Sequence, residues 1–112
     1  MKLRATCLQT HNAPEMVAFY TKVFGHEPFV DGGVDFQFRE EQLTVFKLDE
    51  GDGSATTGVA MVYAADDVDA DYARLNALGL CNLGPPTDKP WGVRSFVVND
   101  PDGNAVSLMK HL

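Results

Sequence analysis

The 112-residue sequence predicts an α+β fold of two tandem βαβββ modules whose curved mixed sheets enclose a cavity. Three observations carry this expectation. A strand, a helix and a glycine stop occur twice, ending at Gly25 and Gly79, and three short strands follow each stop, which is the mark of an internal repeat. The closing stretch from Val93 to Met109 has strand composition on both sides of Asp100-Pro101-Asp102-Gly103-Asn104, so it reads as a hairpin. A sheet with helices on one face also needs cover on the other, and two modules meet that need by curving around a shared hollow. The chain is expected to be one domain over 1–112, with module one at about 1–49, a linker at about 50–57 and module two at about 58–112.

Leu3 to Thr10 reads as the first strand. Asn12-Ala13-Pro14-Glu15 opens a helix, with Asn12 as cap, Glu15 reaching back and Pro14 in the first turn. Met16, Phe19, Tyr20, Val23 and Phe24 fall at helical spacing, and Gly25 ends the run. Extended pieces follow at Glu27 to Val30, Val34 to Arg39 and Leu43 to Leu48, with Phe36 and Phe38 alternating toward a core. Asp49 to Thr57, acidic and then rich in Gly, Ser and Thr, is a connecting loop. The pattern restarts with a strand from Gly58 to Ala64. A helix capped by Asp66 or Asp67 follows, carrying Val68, Tyr72, Leu75 and Leu78 and ending at Gly79. Leu80 to Leu83 is a short extended piece, and Gly84 to Pro90 is a loop stiffened by proline. In the closing hairpin Pro101 presets a turn and Gly103 takes the φ > 0 position.

The net charge of −7 argues against a nucleic-acid partner, because phosphate binding needs a basic surface. No apolar run is long enough for a bilayer, and Met1-Lys2-Leu3-Arg4 leads into a strand, so no membrane partner and a cytoplasmic location are expected. Cys7 and Cys81 lack metal or redox spacing and are expected as free thiols at core or pocket positions. His11, His26 and His111 share no ligand spacing. Arg94 is expected to pair with an acidic side chain at a half-exposed position, and Asp49, Glu50 and Asp52 to form a solvated loop.

Three segments carry a resemblance over essentially the whole chain. They are Phe19-Tyr20-Thr21-Lys22-Val23-Phe24-Gly25, Asp67-Val68-Asp69-Ala70 to Leu78-Gly79, and Pro90-Trp91-Gly92-Val93-Arg94-Ser95-Phe96 leading to Asp100-Pro101-Asp102-Gly103-Asn104. In their order and repetition the sequence resembles the vicinal oxygen chelate superfamily of glyoxalases, extradiol dioxygenases, fosfomycin-modifying enzymes and bleomycin-resistance proteins. Its character is most similar to the metal-free bleomycin-resistance members. The resemblance implies that metal-dependent members place one ligand on each of the first, fourth, fifth and eighth strands. Here those positions fall on Ala5, on or near Thr44 or Phe46, on Val59 and on Ser107. None is a competent ligand beyond a weak contribution from Ser107 or Thr44, and a one-residue shift to Arg4, Thr6, Gly58, Ala60, Val106 or Leu108 is no better. No metal and no cofactor are therefore expected.

Alternation from those positions gives the cavity wall as Cys7 and Gln9, Phe46 with Thr44 and Leu48, Val59 with Met61 and Tyr63, and Ser107 with Met109. Such a lining suits a planar or greasy molecule, and Trp91 on the rigid Pro90-Trp91-Gly92 edge is either a stacking platform or an edge or dimer contact. The leading expectation is a metal-free small-molecule-binding protein that sequesters an apolar or aromatic ligand, with an antibiotic of the bleomycin class as one candidate. The resemblance implies a homodimer. The alternative is a glyoxalase-like lyase, a dioxygenase or an isomerase with an unrecognised site, the isomerase drawing on Tyr63 or Cys7. A third reading is a partner-binding domain with a filled cavity.

Overall fold

The structure, a computed structural model, describes all residues from 1 to 112. It contains two helices and two four-stranded sheets, and the chain divides into two compact units, Met1–Thr57 and Gly58–Leu112.

The first unit runs β1 (Thr6–Thr10), α1 (Ala13–Phe24), β2 (Val30–Asp31), β3 (Asp35–Phe38) and β4 (Leu43–Lys47). Its sheet order is β1-β4-β3-β2, with β1 parallel to β4 and the other pairs antiparallel. Leu8, Thr10, Phe38, Leu43 and Val45 are buried on one face, where Phe24 of α1 meets Phe38 edge to face at 5.2 Å. Met16, Phe19, Tyr20 and Val23 of α1 are buried as their spacing requires. Phe36 shares the Phe38 face through its pairing with Val45, so both phenylalanines take the core side.

Asn12 does not cap α1 as expected. Its side-chain amide donates to the Glu15 carboxylate at 2.9 Å, and its backbone N–H donates to the Thr10 hydroxyl. The cause is its backbone geometry, φ −129° and ψ 52°, with which its side chain makes no bond to a first-turn N–H. Gly25 closes the helix in the left-handed region at φ 80°, donating to the Thr21 carbonyl.

The second unit runs β5 (Ala60–Ala64), α2 (Val68–Ala77), β6 (Thr87–Asp88), β7 (Val93–Asn99) and β8 (Ala105–His111). Its sheet order is β5-β8-β7-β6, with β5 parallel to β8, which repeats the topology of the first unit. Asp67 caps α2 by accepting the Ala70 N–H at 3.0 Å. Tyr72 packs edge to face on Phe96 at 5.4 Å, so α2 covers the face of Phe96, Val98, Val106 and Leu108.

Two expected extended pieces move. Leu80 to Leu83 forms no strand, because the Leu80 N–H is used by the Leu75 carbonyl at the helix end. The short edge strand lies instead at Thr87–Asp88, straight after the prolines, where a missing N–H is harmless on a sheet edge. In the first unit the strand expected at Glu27 to Val30 is the two-residue β2, Val30–Asp31.

The β7–β8 hairpin takes the expected form. The Asp100 N–H donates to the Asn104 carbonyl, the Gly103 N–H donates to the Asp100 carbonyl, and Gly103 sits at φ 88°. The Asp100 carboxylate accepts the backbone N–H groups of Asp102 and Asn104, both at 2.9 Å, and the Asn104 side-chain amide at 3.0 Å. The Asn104 side-chain carbonyl accepts the Val59 N–H at 3.0 Å, so the turn also fixes the entry to β5.

Candidate functional site

Each sheet has one face under its helix and one far face, and the pairing registers decide which side chains occupy the latter. In the first unit, Cys7 pairs with Thr44, which pairs with Gln37; Gln9 pairs with Phe46, which pairs with Asp35. Cys7, Gln9, Thr44, Phe46, Gln37 and Asp35 therefore share the far face, with the Gln37 amide donating to Asp35 at 2.7 Å. Cys7, Gln9 and Phe46 share this face. Leu48, one residue past β4, is 8% exposed, and its N–H is held by the Thr10 carbonyl, so little of it is free for a ligand.

In the second unit Ser107 lies opposite Val62, and Met109 opposite Ala64. The expectation that Val59, Met61 and Tyr63 share a wall with Ser107 and Met109 is therefore corrected. Met61 pairs with Val106 and Tyr63 with Leu108, on the face covered by α2; Met61 is 9% exposed. Val59 precedes the strand at the same parity, with both its backbone groups engaged by Asn104 and Ala105. A one-residue shift in the parallel pairing turns every β5 side chain over. The far face of β5 is instead Ala60, Val62 and Ala64, and Val62 is 68% exposed. Ser95 and Val97 of β7 join it through their pairing with Met109 and Ser107. The signal for this lay in side-chain size: bulky Met61 and Tyr63 fill the space under a helix, while Ala60 and Ala64 leave a shallow surface.

Trp91 is 72% exposed at the tip of a tight β6–β7 turn. There the Gly92 N–H donates to the Lys89 carbonyl, the Lys89 N–H donates to the Val93 carbonyl, and Gly92 has φ 90°. Leu112, also exposed, is tied beside it by its N–H to the Gly92 carbonyl. An indole on a rigid turn suits stacking. Arg94 pairs as expected, on the α2 side: its guanidinium makes a two-pronged contact with Asp69, at 2.9 Å and 3.2 Å, and reaches Asp88 at 3.1 Å. These hydrogen bonds hold the Asp69 carboxyl below its usual range and the guanidinium above its own.

The remaining ionisable groups are held singly or in pairs. Burial of the thiol pushes the Cys7 pKa up although the residue is exposed, which keeps it protonated and weakens a nucleophile role. Tyr63 places its hydroxyl 4.0 Å from the Met61 sulfur, on the helix side of the second sheet. His26 is held between the Glu41 carboxylate at 2.9 Å and the Glu27 carbonyl at 2.8 Å, and the Glu41 bond chiefly raises its pKa. His11 bonds the Gly53 carbonyl at 3.0 Å. A resident divalent metal needs several convergent nitrogen, oxygen or sulfur donors. No group of three or more His, Cys, Asp or Glu side chains is placed to hold one. The far-face residues of β1, β4, β5 and β8 offer one thiol, one amide, two hydroxyls and the terminal His111 amid apolar surface, and this set does not fit a metal. No helix is long and apolar enough to cross a membrane.

Several solved structures share this architecture. The chain is similar to a protein described as a conserved domain protein, with a TM-score of 0.87 and 23% identity over 100% of both chains. It is similar to TnmS3, an antibiotic binding protein from Streptomyces sp. CB03234, with a TM-score of 0.76 and 23% identity over 100% of this chain and 97% of that one. It is also similar to a lactoylglutathione lyase from Agrobacterium tumefaciens, with a TM-score of 0.72 and 25% identity over 97% and 92% of the two chains. No curated protein gives a match in sequence. The paired βαβββ units and the match of residues 2–108 to the family described as the Glyoxalase/Bleomycin resistance protein/Dioxygenase superfamily lead to one assignment: the chain belongs to that superfamily.

Proposed function

We propose that the protein binds and sequesters an apolar or aromatic small molecule without a metal, acting as a cytoplasmic homodimer. The observation that carries this reading is the composition of the far faces, where Phe46, Val62 and Met109 stand among Cys7, Gln9, Gln37, Thr44, Ala60, Ala64 and Ser107, and the Asp35 carboxylate is tied to the Gln37 amide. A ligand covering about 200 Å² of such apolar surface gains about 5 kcal/mol before the costs of association, and the polar side chains orient it. TnmS3, described as an antibiotic binding protein, offers a precedent for such binding on this fold, and an antibiotic is accordingly the first ligand class to test.

A second reading, a glyoxalase-like lyase, dioxygenase or isomerase, draws on the likeness to a lactoylglutathione lyase. The two readings separate on metal content and ligand response. Protein purified without chelator is expected to carry substoichiometric nickel, zinc, iron and manganese, and a thermal-shift screen with bleomycin and flat aromatic compounds to raise the melting temperature, because a ligand that binds only the native state stabilises it. Stoichiometric metal, or turnover of a glutathione hemithioacetal, overturns the binding-only reading.

A further inference from the structure

We infer that the far face of the first unit selects a ligand carrying a protonated nitrogen on its apolar or aromatic body, and that Asp35 is the residue that selects it. The inference rests on the far-face binding proposed above and names the ligand class of that surface. Asp35 stands directly across the β3–β4 pair from Phe46, and Phe46 is paired on its other side with Gln9. Side chains opposed in an antiparallel pair have Cβ atoms about 5 Å apart, so a carboxylate, an aromatic ring and a neutral amide form one row across three strands. A ring that packs on Phe46 brings an amine substituent within reach of Asp35.

The carboxylate is fixed in position, but its charge is not matched. Oδ2 accepts the side-chain amide of Gln37, the next residue on the same face of β3, at 2.7 Å. Oδ1 lies over Gly32 in the β2–β3 turn, so close that a Cβ on that residue would collide with it. The turn is itself closed by the Gly32 N–H donating to the Asp35 carbonyl at 2.9 Å. The Gln37 bond is neutral and takes one of about four acceptor sites on a carboxylate. Asp35 makes no ion pair, whereas Glu41, Asp69, Asp71 and Asp88 each do. A half-buried carboxylate ordered by neutral partners beside an aromatic ring lacks only a cation.

The charges around the sheet favour the same end. Asp31 closes β2 beside the start of β3, and Asp49, Glu50 and Asp52 follow the end of β4, against Lys47 and His11 as the basic groups there. Lys2, Arg4 and Arg39 belong to the opposite end of the far face, beyond the Gln37–Thr44 pair. An ammonium group is therefore drawn to the Asp35 end, and its aromatic or apolar body lies over Phe46 with Gln9 beside it.

The test is a titration of the ¹⁵N-labelled full chain at neutral pH with three probes of one shape, 2-naphthylmethylamine, 2-naphthylmethanol and 2-naphthoate, read by NMR. Saturable shifts at the backbone amides of Gln9, Gln37, Thr44 and Phe46 are expected, with the amine binding about tenfold more tightly than the alcohol and the carboxylate weakest. Asp35→Asn, checked for native circular dichroism, is expected to lower the amine to the affinity of the alcohol and to leave the alcohol unchanged. Asp31→Asn removes the same charge at a position paired with Phe36 on the helix side, and is expected to keep the preference. Amine and alcohol binding equally at these amides, a preference that survives Asp35→Asn, or one that is lost in Asp31→Asn overturns the Asp35 assignment while the far-face reading stands. No saturable shift with any of the three probes removes the far face of the first unit as a binding surface, and this inference with it.

Discussion

Asn104 is fully buried, with 0% of its surface exposed, and both ends of its amide are committed: one holds the Asp100 carboxylate and the other the backbone N–H of Val59, just before β5. Replacing it with alanine strands a buried carboxylate oxygen and leaves the Val59 N–H without its acceptor. A buried polar group that loses its partner costs about 1–3 kcal/mol, so Asn104→Ala is expected to lower stability by about 2–3 kcal/mol, read as a shift in urea midpoint at constant slope. Cys7 makes a different prediction at the same scale. Its thiol is exposed yet has a raised pKa, so less thiolate is present near neutrality than for a free cysteine. In the Cys81→Ser background, Cys7 is expected to react with iodoacetamide more slowly than a free thiol at pH 7.5. Its pH–rate curve should be displaced upward; a downward displacement would restore the nucleophile reading.

The helices and hairpin were legible because their ends are written in local chemistry. Gly25 and Gly79 are glycines at φ 80° and 77°, Asp67 caps, and Asp100-Pro101-Asp102-Gly103-Asn104 closes a turn that few other sequences make. The face of β5 was not legible from alternation, since Ala60, Val62 and Ala64 on one side and Met61 and Tyr63 on the other are all apolar-compatible; side-chain size was the one cue, and the parallel pairing with β8 decides between them. A two-residue strand such as β6 has no period to read. The link after α1 gives an element-scale prediction. His26 bonds Glu41 and packs near Phe24 and Phe38, and these hydrogen bonds raise its folded pKa above about 6.5, the ordinary imidazole value. A raised histidine contributes stability in full below its unfolded pKa, and the contribution is lost as pH rises through the folded value. With the side chain 42% exposed, solvent screening keeps the effect below about 1 kcal/mol. The stability of the parent relative to Glu41→Gln is expected to be greatest below about pH 6.5, the ordinary imidazole value, and to decline as pH rises above it; a gap independent of pH would show that the pair acts by packing alone.

Across the molecule, the same βαβββ topology appears twice, and each copy buries most of its large apolar side chains under a helix while its far face mixes apolar with polar groups. On the proposed reading that division separates stability from binding, and adjacent residues of β5 test it. Met61 is 9% exposed among Val106 and its neighbours, so Met61→Ala opens a cavity and is expected to cost about 2–4 kcal/mol with ligand affinity unchanged in the folded protein. Val62 is 68% exposed on the opposite face, so Val62→Asp is expected to change stability by less than about 1 kcal/mol, at the level of a surface substitution. It nevertheless places a charge where an apolar ligand would have to desolvate it, so the thermal shift produced by any aromatic ligand found in the screen should be abolished. Urea melts and ligand-induced shifts on the two variants read both quantities. If Met61→Ala loses the ligand while Val62→Asp keeps it, the binding surface lies on the helix side of β5 and the proposed far-face site is wrong.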